Sequence, residues 1–363
     1  MCRKLFVAAT GQNCGKTTIS VSLIHLARRK YGRVGFMKAI GPKCVTFNGV
    51  PMDKDAVLMA QIYGLEEDRR LMSPVVLTKG STKRFIDGEL ASATAIEKLQ
   101  RTCSELEAKN DFLIIEGAGH GGVGSVIGLN NAQVAKLLDA PVVMVAGGGI
   151  GNVIDSVRLN MGLYEREGAA LRMLLVNKLI TEKRASSLGY LQKAFAGSGI
   201  QVAGAFDYSP VLANPTLQNL ARRLGKPLKG DPTQQHRIAH NIQLGAASSQ
   251  VVIDGLQHST LLITTSSRDE LLVTTASLYH IPAYREKIAG LVIPGHTAIS
   301  PVTQKILDES GVPYIRIEET TAQVFTKLLD HVSKITADDH EKLELLQSTA
   351  ETYLDFAAID ALL

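Results

Sequence analysis

Lys16 and Thr17 stand directly behind Gly15, at the end of a short loop of small and polar residues that begins at Thr10. An ammonium and a hydroxyl in that position are the groups that polyphosphate chemistry needs. The stretch 4–20 reads KLFVAATGQNCGKTTIS, an apolar run, a Gly-bearing turn, and then a segment of helical periodicity. In the order strand, loop, helix, backbone N–H groups from Gly11, Gln12, Asn13, Cys14, Gly15, Lys16, Thr17 and Thr18 would face phosphate oxygens. Lys16 would reach the β- and γ-phosphates and Thr17 would hold Mg²⁺, as in the P-loop. Thr10 occupies the place where that pattern has its first Gly, and here the first Gly is Gly11. The alternative, an ordinary strand-to-helix turn with an exposed Lys, leaves the strand, loop, Lys and two Thr together by coincidence.

Further residues could complete such a site. Lys38 closes an apolar stretch at 33–40 (RVGFMKAI). Asp53 and Asp55 open a helical segment carrying Val57, Leu58, Ala60 and Ile62, where a carboxylate either caps the helix or faces a metal. Glu116 ends the continuous apolar run 112–115 and precedes GAGHGG, the position at which open α/β sheets place their ligands. A carboxylate there suits Mg²⁺ or a water-orienting role, the other reading being a surface-loop acid. Asn177 follows another apolar strand, and its donor and acceptor suit a purine edge or simple turn chemistry. His120 and His296 fall in loops and are read as solvated.

These residues need strands to carry them to one place. Apolar runs at 5–9, 33–40, 112–115, 141–146, 171–178 and 201–206 alternate with helical patterns, which specifies a parallel, doubly wound α/β sheet. The stretch 207–215 (DYSPVLANP) has the Pro and Asn content of a connection. Beyond it, strands at 261–264, 289–293 and 313–317 alternate with helices in a second, smaller α/β unit. A final amphipathic helix is expected from Thr336, packing on its own domain or at a subunit contact.

The bulk numbers agree with two packed cores: 363 residues, 45% hydrophobic and 20% charged. A net charge of +4, with no dense Lys/Arg block, does not imply nucleic acid. No apolar stretch is long enough to span a bilayer, so no membrane association is expected. Cys2, Cys14, Cys44 and Cys103 form no close pairs, which argues against zinc and a disulfide framework and for a reducing cytoplasm.

Together, GKTT, Lys38, the DKDA around Asp55, the EGAG after Ile115 and Asn177 resemble dethiobiotin synthetase and its relatives among the cobyrinic acid diamide synthases. The resemblance implies a P-loop NTPase domain over 1–213, with ATP and Mg²⁺ as cofactors. It implies that Thr17, Asp55 and Glu116 hold the metal, that Asn177 contacts adenine, and that Lys16, Lys38 and Glu116 are the catalytic candidates. Gly11 stands where dethiobiotin synthetases carry Asp, and GPKCVTFNG replaces their Ser-containing substrate loop. Residues 214–336 resemble a DRTGG domain, with Ser267 at the namesake Asp before Arg268 and Asp269, and 337–363 form the C-terminal helix.

The pairing resembles the N-terminal half of long bacterial phosphotransacetylases, and the chain is expected to be a stand-alone version of that regulatory region. With no cysteine after Cys103, no cysteine nucleophile is expected for amide transfer. The reading favoured is a nucleotide-responsive regulatory ATPase that self-associates. The alternative is an ATP-dependent ligase that activates a small carboxylate substrate, with Lys38 neutralising the phosphoryl or carboxylate charge.

Overall fold

The computed structural model describes residues 2–329 and 335–363. Two compact units emerge, one made of Met1–Tyr208 with His340–Leu363 and the other of Ser209–Asp339.

The first unit is built on six strands: β1 (Arg3–Ala9), β2 (Val34–Lys38), β3 (Phe112–Glu116), β4 (Val142–Gly147), β5 (Leu171–Leu179) and β6 (Gln201–Asp207). They lie in the order β6-β5-β4-β1-β3-β2, and every neighbouring pair is parallel. The residues of β1 from Leu5 to Ala9 and of β3 from Phe112 to Ile115 are completely buried. That explains why these strands read as continuous apolar runs rather than as alternations. On one face Phe6, Ala8, Leu113, Ile115, Met144 and Val176 join Leu99, Leu106, Val153, Val157 and Leu191 in one core. The other face carries Phe112, whose ring lies 5.1 Å from Tyr31 and 5.7 Å from Phe356. Full burial of each such side chain contributes about 1.5–3 kcal/mol.

The stretch after β2, for which no strand was expected, folds into an antiparallel hairpin of Cys44–Phe47 and Val50–Asp53. Its turn is Asn48-Gly49, both at positive φ (46° and 75°), the conformation that two-residue hairpin turns require. The hairpin delivers Asp53 to the start of the helix Lys54–Tyr63, where its carboxylate accepts from Asp55 N at 2.9 Å. The cap and the second carboxylate are thus two different residues.

The second unit has five strands: β7 (Leu228–Lys229), β8 (Asn241–Leu244), β9 (Thr260–Ile263), β10 (Ile288–Pro294) and β11 (Tyr314–Ile317). Their order is β7-β11-β10-β9-β8, parallel except for β7 at the edge. Leu262, Leu291 and Ile293 enter a core on one face, and Leu261, Ile263 and Val292 enter a core on the other. This is a second, smaller α/β unit with helices on both sides of its sheet.

The terminal segment is two helices, His340–Tyr353 and Phe356–Ala361, and both belong to the first unit. The break falls at Leu354, which leaves the helix to bridge Gly204 of β6 in antiparallel fashion. Asp355 then caps the second helix, accepting from Ala358 N at 3.0 Å. The helical segment starts at His340 rather than Thr336, whose N–H donates to Asp339 Oδ2 at 2.8 Å. Among the described residues no helix is long and apolar enough to cross a membrane.

Candidate functional site

Parallel pairing brings the C-terminal ends of five strands to one edge of the first sheet. Lys38 and Val7 are both in register with Glu116, and Gly147 is in register with Asn177. The loop after β1 is tied to that edge by Thr10 N, which donates to Val145 O at 3.0 Å. All the residues singled out in the first unit therefore come from the ends of its strands or the helices that follow them.

The loop itself has two left-handed residues, Asn13 at φ 59° and Gly15 at φ 99°. A Cβ on Gly15 would lie 1.9 Å from Asn177 Nδ2, so conformation and space both require glycine. Behind it the helix Lys16–Lys30 begins, with Thr17 and Thr18 half-buried in its first turn. Gln12 and Asn13 are exposed at the tip, and Gly11 and Cys14 are half-buried. Lys16 is only 9% exposed, and its ammonium donates to the carbonyl of Gly119 in the glycine loop after β3. Burial pulls its pKa down to about 8, a drop that the nearby Glu116 only partly opposes.

Lys38 lies beneath the loop, almost completely buried. Its three N–H groups go to Asp55 Oδ2 at 2.9 Å, Glu116 Oε1 at 2.6 Å and Gly117 O at 3.0 Å. Burial works against the charge of Lys38, but Glu116 and Asp55 outweigh it, so the pKa is raised above the ordinary lysine value. Glu116 has no exposed surface, and its other oxygen accepts from Ser20 Oγ at 2.6 Å. The two carboxylates are thus bridged by an ammonium. Among the described residues no group of three or more His, Cys, Asp or Glu side chains is arranged to hold a metal. The side-chain oxygens that meet around Lys38 are those of Asp55 and Glu116, with Ser20 on the far side of Glu116.

Asn177 is buried, and both ends of its amide are engaged: Nδ2 donates to Cys14 O at 3.0 Å, and Oδ1 accepts from Lys178 N at 2.9 Å. His120 is exposed and accepts from Gly122 N at 3.3 Å. In the second unit His296 is exposed, and Arg268 donates to Gly245 O and Ala247 O, both at 3.0 Å. Asp269 is the first residue of the helix Asp269–Leu278.

Sequence reasoning passed over four supporting residues. Ser20 sits one turn along from Lys16 and fixes Glu116. Asn131 is buried and staples the glycine loop, with Nδ2 donating to Ala118 O at 2.6 Å and His120 O at 2.7 Å. Asn160 Nδ2 reaches Ser156 O at 2.8 Å and Thr10 O at 3.5 Å. Lys178 Nζ donates to Asn13 O at 2.9 Å. A buried polar residue on an otherwise apolar helix face is the signal that could have marked Ser20 and Asn160.

Comparison with known proteins follows this geometry. Residues 3–216 match the family described as AAA domain (AAA_26), and residues 219–330 match the DRTGG domain family. A phosphate acetyltransferase of Pseudomonas putida is 24% identical over 370 residues, covering 97% of this chain and 50% of the relative. A cobyric acid synthase of Listeria innocua is 29% identical over 204 residues, covering 49% of this chain and 39% of the relative. The MinC:MinD cell division protein complex of Aquifex aeolicus aligns with 58% of this chain and 83% of its own, with a TM-score of 0.37 and 16% identity. The chain spans about half the length of the phosphate acetyltransferases it matches.

Proposed function

The chain belongs to the AAA_26 family of AAA domains, followed by a DRTGG domain, and we propose that it is a Mg²⁺–ATP-responsive regulatory protein. ATP binding, or slow hydrolysis, at the edge of β1–β5 would set the state of the DRTGG domain or of a partner. The observation that carries nucleotide binding is the loop. Left-handed Asn13 and Gly15 lead into a helix N-terminus, and Lys16 stands in its first turn. That combination of backbone donors, helix dipole and ammonium is what a polyphosphate requires.

The donor set also fits Mg²⁺ by chemistry, since Thr17, Asp55 and Glu116 offer hard oxygens. The ion would neutralise charge on the β- and γ-phosphates. The remaining work falls to the chain. Lys16 would exchange the Gly119 carbonyl for phosphate oxygens. Lys38 and Ser20 each engage one oxygen of Glu116 and so fix its orientation, and the remaining lone pairs of the carboxylate would be available to the ion. Asn177 would support the loop first, and an adenine contact would use its second N–H or release one of its present bonds.

The state of Lys38 also weighs between regulation and ligation. A lysine that neutralises an incoming carboxylate must bring unopposed charge, and Lys38 is already paired with both Asp55 and Glu116. The chain covers about half of the phosphate acetyltransferases and 39% of the cobyric acid synthase, and their activities are not carried over to it. Steady-state ADP release with Mg²⁺–ATP, alone and with a panel of small carboxylates, is the test. A slow rate indifferent to every carboxylate is expected, with Lys16→Ala weakening ATP about 10–100-fold. A rate that rises strongly with one carboxylate would replace the regulatory reading by the ligase. Absence of ATP binding in the intact protein would remove both.

A further inference from the structure

We infer that Lys178 is a positioning residue of the phosphate cradle, acting on the loop backbone rather than on the base of the nucleotide. The inference rests on the nucleotide reading above. In a trans peptide unit the carbonyl of one residue and the N–H of the next point in opposite directions. Lys178 Nζ holds Asn13 O at 2.9 Å, and Asn177 Nδ2 holds Cys14 O at 3.0 Å. Both carbonyls are thereby turned toward the end of β5. The N–H groups of Cys14 and Gly15 must then face the other way, side by side. Successive N–H groups presented together form an anion-binding nest. Two consecutive residues near the end of β5, Asn177 and Lys178, thus set the polarity of the loop that follows β1.

Lys178 occupies an unusual backbone for this task. Its φ is 62°, and the other described non-glycine residues at positive φ are Asn13, Asn48, Asp139 and Ser259. Those are short polar residues, of which Asn and Asp tolerate the left-handed region best, whereas a lysine gains nothing comparable there. Its side chain is exposed, and a solvent-exposed ammonium adds little to stability by one such contact. Strain kept at a ligand-facing position without a return in stability is what a positioning role predicts. The ammonium also brings positive charge to the rim of the cradle beside exposed Asn13.

Equilibrium binding of a non-hydrolysable ATP analogue, with inorganic tripolyphosphate as competitor, tests this on the full chain with Lys178→Gly, Lys178→Met and Lys178→Arg. Gly relieves the backbone while removing the ammonium, so Lys178→Gly should melt no lower than the wild type. It should nevertheless bind both ligands about tenfold more weakly, as loss of one charged hydrogen bond implies. Lys178→Met should weaken both by the same factor, and Lys178→Arg should restore most of the affinity. Unchanged affinities would overturn the inference. So would a loss confined to the nucleotide with tripolyphosphate unaffected, which would place Lys178 on the base. A wild type that binds the nucleotide but not tripolyphosphate would also count against it. A wild type that binds neither would overturn the nucleotide reading itself, and is thereby told apart from a failure of Lys178 alone.

Discussion

Lys16 donates to a carbonyl rather than to a carboxylate, and burial keeps its pKa near 8. The folded value lies below the unfolded 10.5, so folding favours the neutral amine. Holding the charge therefore costs stability below about pH 8, on the order of 3 kcal/mol, and the cost is relieved as pH rises toward the unfolded value. A polyphosphate reverses this preference, because its contacts are made by the ammonium. ATP binding should hence take up close to half a proton at pH 8 and almost none at pH 6.5, with affinity falling as pH rises past 8. Calorimetry in two buffers of different ionisation enthalpy measures the uptake, and a value near zero at pH 8 would show Lys16 already fully charged. Lys16, Thr17, Lys38, Asp55, Glu116 and Asn177 were legible because each sits in a motif or at the end of an apolar run, and the fold gathers them at one sheet edge. Ser20, Asn131, Asn160 and Lys178 were not, because the contacts that matter to the site, with Glu116, the glycine loop, Thr10 and Asn13, lie on other elements. What a side chain does for a loop on another strand leaves little trace in its own sequence neighbourhood.

Among the elements, the parallel strands were legible and the short ones were not. Strands buried on both faces must be apolar throughout, so their signal survives without any knowledge of partners. The hairpin Cys44–Phe47 and Val50–Asp53 is half-exposed and mixed in composition, and its one sequence signal, the Asn48-Gly49 turn, was passed over. The two-residue edge strand β7 offers no period at all. The end of the chain was read as one helix, because only the sheet bridge at Gly204 reveals why it breaks. Its second piece carries Asp360, buried, whose carboxylate takes Arg3 Nε at 3.0 Å, Tyr31 Oη at 2.8 Å and the Lys30 ammonium. One residue so joins β1 to the end of the helix that starts with Lys16. Burial alone would raise the pKa of Asp360, but Lys30, Tyr31 and Arg3 hold it below the ordinary value. A depressed carboxylate contributes stability that is present above its unfolded pKa of 3.8 and is lost as pH falls through the folded one. Asp360→Asn should therefore lose about 2–3 kcal/mol at pH 7, and the gap to the wild type should narrow below about pH 4. Urea unfolding at both pH values checks it; a gap independent of pH would mean that packing, not charge, is what the substitution removes.

At the scale of the molecule, the first unit is assembled from two stretches of chain while the second is continuous. Residues 209–339 have their own sheet and a core on each of its faces. Residues 1–208 do not have all of theirs, since Leu343, Leu346, Ala350, Leu354, Phe356 and Ile359 of the terminal helices are buried in the first unit. Besides the contacts of Asp360, Glu351 reaches the P-loop helix, with a hydrogen bond to His25 at 2.8 Å and an ion pair to Arg29 at 2.7 Å. At about 1.5–3 kcal/mol for each large apolar side chain, this burial rivals the whole stability of a typical domain, about 5–15 kcal/mol. The covalent order has a functional consequence. The second unit joins the first at Tyr208, at the end of β6, and at His340, where the helix packed on the P-loop helix begins. The second unit therefore has two chain connections to the first, one at the end of its sheet and one at the helix packed on the helix Lys16–Lys30. Residues 209–339 expressed alone should give a dispersed amide spectrum and cooperative melting. Residues 1–208 alone should not, and adding a peptide of residues 340–363 should restore both cooperative unfolding and nucleotide binding. If 1–208 melted as the whole chain does and bound ATP unaided, the terminal helices would be dispensable, and the route from the second unit through His340 to the P-loop helix would be lost with them.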